Sequence, residues 1–329
     1  MALDAALLRD LSKGSARQAW EVLVKRARAI CAEPIKKENA AREITRRDRE
    51  VGSLDHFLST GGWDLWGNFG DSVERTSDRL VRWWQEPHAK RAVLLLDGLS
   101  LRELPWITQG AEKNGFVVHD VRVTGSELPG ETTEFARALG FASRAALQND
   151  GAGMAHRLAP ARTECAGLPW QDCANLIDAS PNWVFWHEWP DSKVHDGSGA
   201  GQGLEQLARD AAEQLTSEDF WAFVERLATG RRVVITSDHG YAATGQFFDA
   251  ADEEGKFLKD TFKSGRSVNT LVSTGPFVPP VALALPSPHG ERLYVLGRRK
   301  WKSQGGYPTL AHGGLSLLEV LSPFIELSR

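Results

Sequence analysis

The sequence predicts an α/β chain: a mainly parallel central sheet flanked by helices, with a helical N-terminal region. Three observations predict it. Short apolar runs bounded by turn residues recur after residue 90, and runs of that length suit parallel strands covered on both faces. Helix-spaced stretches lie between several of them, the alternation expected of α/β architecture. Before residue 91 the apolar spacing is helical and no strand-like run occurs.

In chain order, "LDAALLRDL" and "ARQAWEVLVKRARAICA" place apolar residues three and four apart, and "DSVERTSDRLVRWWQ" does the same after the Gly/Trp-rich stretch "GGWDLWGNFG". Residues 1–90 are therefore read as a helical region and residues 91–329 as the α/β domain. Strands are predicted at "RAVLLLDG", "GFVVHDVRVTG", "PNWVFWHEW", "RRVVITSDHG" and "RLYVLG". Helices are predicted at "GLEQLARDAAEQL" and "SEDFWAFVERLA", and one is expected after His312 in "TLAHGGLSLLEV". The chain contains no internal repeat or low-complexity tract.

Bulk properties narrow the function. A length of 329 residues suits one large domain with an appendage or two ordinary domains. The net charge of −4 exerts no global pull on nucleic acid. No apolar run approaches the roughly 18 residues needed to span a bilayer, so no membrane partner is expected. The opening "MALDAALLRDLSKG" carries acids and no small-residue cleavage site, so it does not read as a signal peptide. Three scattered cysteines, Cys31, Cys165 and Cys173, suit a reducing compartment. Together these point to a cytoplasmic protein. Basic residues outnumber acidic ones over residues 1–50, which a solvated face explains.

The chemistry gathers where apolar runs end. "AVLLLDG" delivers Asp97, and "ITSDHG" delivers Asp238 and His239. "NWVFWHEWPDSKVHDGSG" delivers Asp191 and His195, four residues apart, and "TLAHGG" delivers His312. In α/β folds, ligands collect beyond the carboxyl ends of the strands. Carboxylates mixed with imidazoles are the donor set of zinc or manganese rather than calcium. Singly, each residue has a bland role: Asp97 as a helix cap, Asp191 in turn chemistry, His312 as a surface histidine.

The order Asp, Thr or Ser, Asp-x-x-x-His, Asp-His-Gly, His resembles that of the alkaline phosphatase superfamily. Within it, "LLLDGLSLRE", "ELPGETTEFARALGF", "ITSDHGY" and "AHGGLSLLEVLSPFIEL" are similar to the PglZ domain of bacterial phage-defence systems and some signalling proteins. The resemblance covers about residues 91–329. It implies two divalent metal ions, most often zinc, with manganese possible. Asp191, His195 and His312 would hold the first, and Asp97, Asp238 and His239 the second. It places the nucleophile in "LPGETTEFARAL", at Thr132, with Thr133 as the alternative. The "ETTEFARAL" segment is also a plausible capped helix start.

The resemblance implies a phospho-enzyme mechanism at a phosphate ester. A sulfatase C/S-x-P-x-R motif is absent, as are the inserted domain and "NSEVGH"-like serine site of cofactor-independent phosphoglycerate mutases. A phosphodiesterase acting on nucleotides or oligonucleotides is the expectation. The alternatives are a phosphomonoesterase and a non-catalytic, metal-holding scaffold of a multi-protein defence complex. In "GRRKWKSQGGYP", Arg298, Arg299, Lys300 and Lys302 could meet a phosphate backbone while Trp301 or Tyr307 stacks on a base. Ser100 reads as a cap, Arg102 as a phosphate contact or surface salt bridge, and His187 and Glu188 as supports around the metal ligands.

Overall fold

A computed structural model describes residues 3–87, 90–196, 203–244, 250, 252–269, 279–287, 289–303 and 309–329. Its strands are β1 (Arg91–Leu96), β2 (Val117–Gly125), β3 (Arg162–Ala166), β4 (Asn182–His187), β5 (Arg232–Thr236), β6 (Ala242–Ala243), β7 (Ser267–Asn269), β8 (Ala282–Ser287), β9 (Gly290–Val295), β10 (Leu310–Ala311) and β11 (Leu321–Ser328). Six of them form the central sheet in the order β2-β11-β5-β1-β4-β3. The β1–β4, β1–β5 and β3–β4 pairs are parallel, and β11 runs antiparallel to both neighbours. The sheet is thus mostly parallel, with helices on both faces.

Residue alternation along the strands sorts the two cores, because successive side chains point to opposite faces. Ala92, Leu94 and Leu96 join Trp183, Phe185, Val233 and Ile235 under the helices Leu104–Lys113, Gly203–Thr216 and Glu218–Ala228. Val93 and Leu95 join Val184, Trp186 and Val234 on the other face, under the helix Thr76–Gln85 with its Leu80 and Trp83. Fully burying a Leu or Val side chain contributes roughly 1.5–3 kcal/mol, so β1, β4 and β5, apolar on both faces, anchor the centre of the sheet.

The described residues before β1 are helical or irregular, with helices at Ala5–Ser12, Ala16–Ala32 and Ala40–Thr60 besides Thr76–Gln85. They share cores with the rest of the chain: Trp20, Leu23, Val51 and Leu54 pack with Leu317, Leu318 and Tyr294. A buried ionic chain reinforces this seam. Asp48 pairs with Arg102 and Arg298, and Arg298 Nε donates to Asp55 Oδ2 at 2.7 Å. Arg102 is therefore neither a surface salt bridge nor free to meet a phosphate: it is 2% exposed, held by Asp48, and its Nη1 donates to the Tyr241 carbonyl at 2.7 Å.

One strand expectation and one helix expectation change. The "RLYVLG" run forms β9, which lies outside the central sheet, in a three-stranded antiparallel sheet ordered β7-β9-β8. The helix expected after His312 is a single turn, Leu317–Val320, and the chain continues as β11. Pro323 supplies the reason, since a helix rarely continues through the residue before a proline.

Candidate metal centre

Strand order and register assemble the site. β5, β1 and β4 are adjacent and parallel, with Leu96 opposite His187 and Leu95 opposite Thr236. Their carboxyl ends therefore form one edge. Asp97 follows β1 by one residue, Asp238 follows β5 by two, and Asp191 follows β4 by four. The chain after β4 is tied back by Asp191 N–H, which donates to the Asp97 carbonyl at 2.8 Å. Asp191 opens a short helix, Asp191–Asp196, rather than lying in an open loop. The four-residue spacing puts His195 on the same helix face, its Nε2 3.2 Å from Asp191 Oδ2.

His312 arrives from the far end of the sequence through a two-residue ladder. β6 and β10 pair antiparallel, with Ala311 opposite Ala242. β6 lies just beyond His239, so this register sets His312 beside it, the rings stacked with centroids 4.2 Å apart. Close approach explains two glycines. Gly98 has φ +73, and a Cβ there would come 3.2 Å from the Asp191 Cβ; its N–H donates to Asp238 Oδ1 at 3.0 Å. At Gly240 a Cβ would meet the Leu318 carbonyl at 2.2 Å.

All six side chains that the sequence offers as ligands thus lie in one neighbourhood. Two groups have donor atoms within 4.8 Å of one another: Asp191, His195 and His312, and Asp97, Asp191 and His239. The resemblance assigns Asp191 to one set only, whereas here it belongs to both. Asp238 flanks the second group, its Oδ2 3.4 Å from His239 Nε2.

The donor chemistry fits divalent cations. Asp191 Oδ1 and Asp238 Oδ2 are buried and accept no hydrogen bond. Buried carboxylate oxygens without partners are costly, and a cation is what such oxygens take. The histidines are in the matching tautomer. His239 Nδ1 is 2.9 Å from the Gly240 carbonyl and His312 Nδ1 is 3.1 Å from the Gly130 carbonyl. A carbonyl only accepts, so each Nδ1 carries a proton and donates, which leaves Nε2 as the ring nitrogen turned toward the carboxylates and able to ligate once it is free of a proton.

Electrostatics tell the same story from the metal-free side. Burial and the neighbouring Asp238 charge push Asp97 well above the usual carboxylate range. His239 is raised to about 9: burial opposes its charge, but Asp238, Asp97 and Asp191 outweigh it. His312 falls to about 4 through burial and the positive His239 beside it. Burial works against the Asp191 charge, yet the His195 hydrogen bond and the His239 and His312 charges hold it below the usual range.

Thr132 is the first residue of the helix Thr132–Ala138, preceded by Glu131 at the cap position. Its hydroxyl does not cap the helix. Thr132 Oγ1 donates to Asp97 Oδ1 at 3.2 Å and lies 3.5 Å from His239 Nε2. Thr133 is exposed. Ser100 is a cap, as expected: its Oγ accepts from Arg102 N–H in a capping box with Glu103.

The basic-aromatic segment is corrected at Trp301 and Arg298, while Arg299 and Lys300 stay half-exposed and Lys302 exposed. Trp301 cannot stack on a base; it is 2% exposed, packs with Phe262, and donates through Nε1 to the Lys263 carbonyl at 2.8 Å. Arg298 is consumed by the buried pairs with Asp48 and Asp55. Arg299 pairs with Glu254 at 3.4 Å, and the Lys300 carbonyl accepts from Ala250 N–H, so both belong to a stretch stitched to the helix Asp252–Phe262. The physical cause is the apolar pocket under β8 and β9, which draws Trp301 inward and fixes its neighbours. Tyr307 lies outside the described residues.

The sequence reading missed Arg144. Its guanidinium bonds Asp97 Oδ2 and lies 3.5 Å from Glu188 Oε1. A lone Arg in "FASRAAL" carries no local signal; only folding brings it to Asp97.

His187 is fixed behind the centre. Its Nδ1 accepts from Trp189 N–H at 3.0 Å, so Nε2 carries the proton and donates to the Leu168 carbonyl at 2.9 Å. Burial lowers it from 6.5 to about 4. Above pH 6.5 both folded and unfolded forms are neutral and its contribution is complete. Between 6.5 and 4 the unfolded chain takes up the proton first, and stability falls by on the order of 3 kcal/mol. In EDTA, the wild-type midpoint should therefore fall relative to that of His187→Gln as pH drops from 6.5 to 4, the variant being the less stable of the two at pH 7.

No helix of the described residues is long and apolar enough to cross a membrane. No family model matches the chain, and no curated protein matches it. Among solved structures, murine ectonucleotide pyrophosphatase/phosphodiesterase 5 is similar, with a TM-score of 0.48 and 10% identity over 73% of this chain and 88% of that one. A likeness of that size carries no conclusion about function.

Proposed function

We propose that the protein is a divalent-metal-dependent phosphoric ester hydrolase with Thr132 as nucleophile. The observation that carries the reading is the Thr132 hydroxyl, 3.2 Å from Asp97 Oδ1 and 3.5 Å from His239 Nε2, at the edge of two ligand groups that share Asp191. Asp191, His195 and His312 would hold one cation, and Asp97, Asp238 and His239 another, with Asp191 between them. Bound there, such cations favour the ionised hydroxyl and stabilise charge on the entering and leaving oxygens of an in-line displacement.

The chain's own residues supply the rest. Asp97 accepts the Thr132 proton's hydrogen bond and so aims the Oγ lone pairs away from itself. Nδ1 contacts to backbone carbonyls lock the rings of His239 and His312. The helix Thr132–Ala138, anchored by buried Phe135 and Ala136, keeps the nucleophile from drifting, and a positional error of 1 Å costs about a hundredfold in rate. Within this reading we favour a phosphodiester substrate of the nucleotide class and zinc or manganese as the metal.

Hydrolysis of bis-p-nitrophenyl phosphate, p-nitrophenyl phosphate and short oligonucleotides, with Zn²⁺, Mn²⁺ or EDTA, tests it. Turnover of the diester that needs a cation and stops with EDTA is expected. Preference for the monoester would move the reading to a phosphomonoesterase. Inactivity with every metal and substrate would favour the metal-holding scaffold.

A further inference from the structure

We propose that Arg144 is a built-in counter-charge to the metal centre: it balances Asp97 when no cation is present and thereby holds cation affinity down. The inference rests on the metal-dependent reading above and deepens it by naming what sets the affinity.

Asp97 is 0% exposed and its two oxygens face different ways. Oδ2 takes the Arg144 guanidinium, whereas Oδ1 faces Thr132 and His239, the latter at 3.7 Å. Arg144 is itself half-buried, and its second partner, Glu188, has a side chain 43% exposed. The guanidinium thus stands between a sealed carboxylate and the solvent side. Leaving a buried carboxylate without its partner is strongly destabilising, so Arg144 keeps the metal-free centre folded.

The same placement works against a cation. A cation can enter at Oδ1 without displacing Arg144 from Oδ2, and one carboxylate then serves two positive groups. Repulsion between them across a few ångströms of buried protein is substantial. Arg144 therefore makes the bound cation more exchangeable than its oxygen and imidazole donors alone would, and it acts as a positioning residue through Asp97 rather than on substrate.

The test uses the full chain after EDTA treatment and desalting, titrated with Mn²⁺ and with Zn²⁺ by calorimetry, alongside thermal denaturation with and without cation. In Arg144→Met the metal-free midpoint should fall by about 5 °C or more, while cation binding tightens by roughly tenfold or more. Arg144→Lys keeps the charge, so its affinity should stay within about threefold of wild type. Arg144→Gln, which keeps a donor without the charge, repeats the test if the Met variant does not fold. Unchanged or weaker binding in the uncharged variants overturns the inference while leaving the metal reading intact. So does a Lys variant that behaves like Met. If the wild type binds neither cation, the metal reading fails and this inference fails with it.

Discussion

Thr132→Ala should lose turnover by about three orders of magnitude or more while binding the same number of cations as the wild type. Removing a nucleophile takes away the chemical step itself, and such losses are among the largest single substitutions produce. Thr132 is not among the ligand groups, so metal content, read by elemental analysis, should not change. Its hydroxyl makes no helix cap and its helix is anchored by Phe135 and Ala136, so the midpoint of thermal unfolding should move by only a few degrees. Thr132→Ser should retain measurable activity, since it keeps the oxygen. Thr133→Ala should be close to wild type, because Thr133 is exposed. The reverse pattern, an active Thr132→Ala and an inactive Thr133→Ala, would move the nucleophile by one position.

The positions of the acids were legible because strand physics is local. β1 and β5 are apolar runs with a polar break at the carboxyl end, so Asp97, Asp238 and His239 announce themselves in sequence. That they meet is a matter of strand order, which the sequence states only through the α/β alternation. β3 escaped notice: "RTECA" is an edge strand with a polar Glu164 in the middle, and it lacks the apolar continuity of its neighbours. β11 was hidden by "LSLLEVLSPFIEL", whose density of leucines suits either element, and Pro323 was the usable cue. The basic segment misled for a different reason. Arg298 and Trp301 look exposed by residue type, yet both are buried by partners more than thirty residues away, Asp55 and Lys263. Long-range neutralisation of a charge has no local signature, and the same is true of Arg144 beside Asp97.

The sharing of Asp191 makes the second large effect a matter of stoichiometry. Asp191 is the one residue in both ligand groups, with its Oδ2 toward His195 and its Oδ1 toward His312 at 3.6 Å. Asp191→Ala should therefore bring cation content from about two per chain toward none and abolish turnover. Asp238→Ala, which touches only the second group, should lose one cation and keep the other. Stability separates this from misfolding. In the metal-free protein Asp191 is held by the His195 hydrogen bond and by the His239 and His312 charges, so deleting it removes favourable interactions. The metal-free midpoint should then fall by about a few degrees while unfolding stays cooperative. What should vanish is the rise on adding cation, which for the wild type at a hundredfold excess over Kd is worth about 2.7 kcal/mol per site. Equal cation content in the two variants, by elemental analysis of dialysed protein, would mean that Asp191 does not bridge the groups.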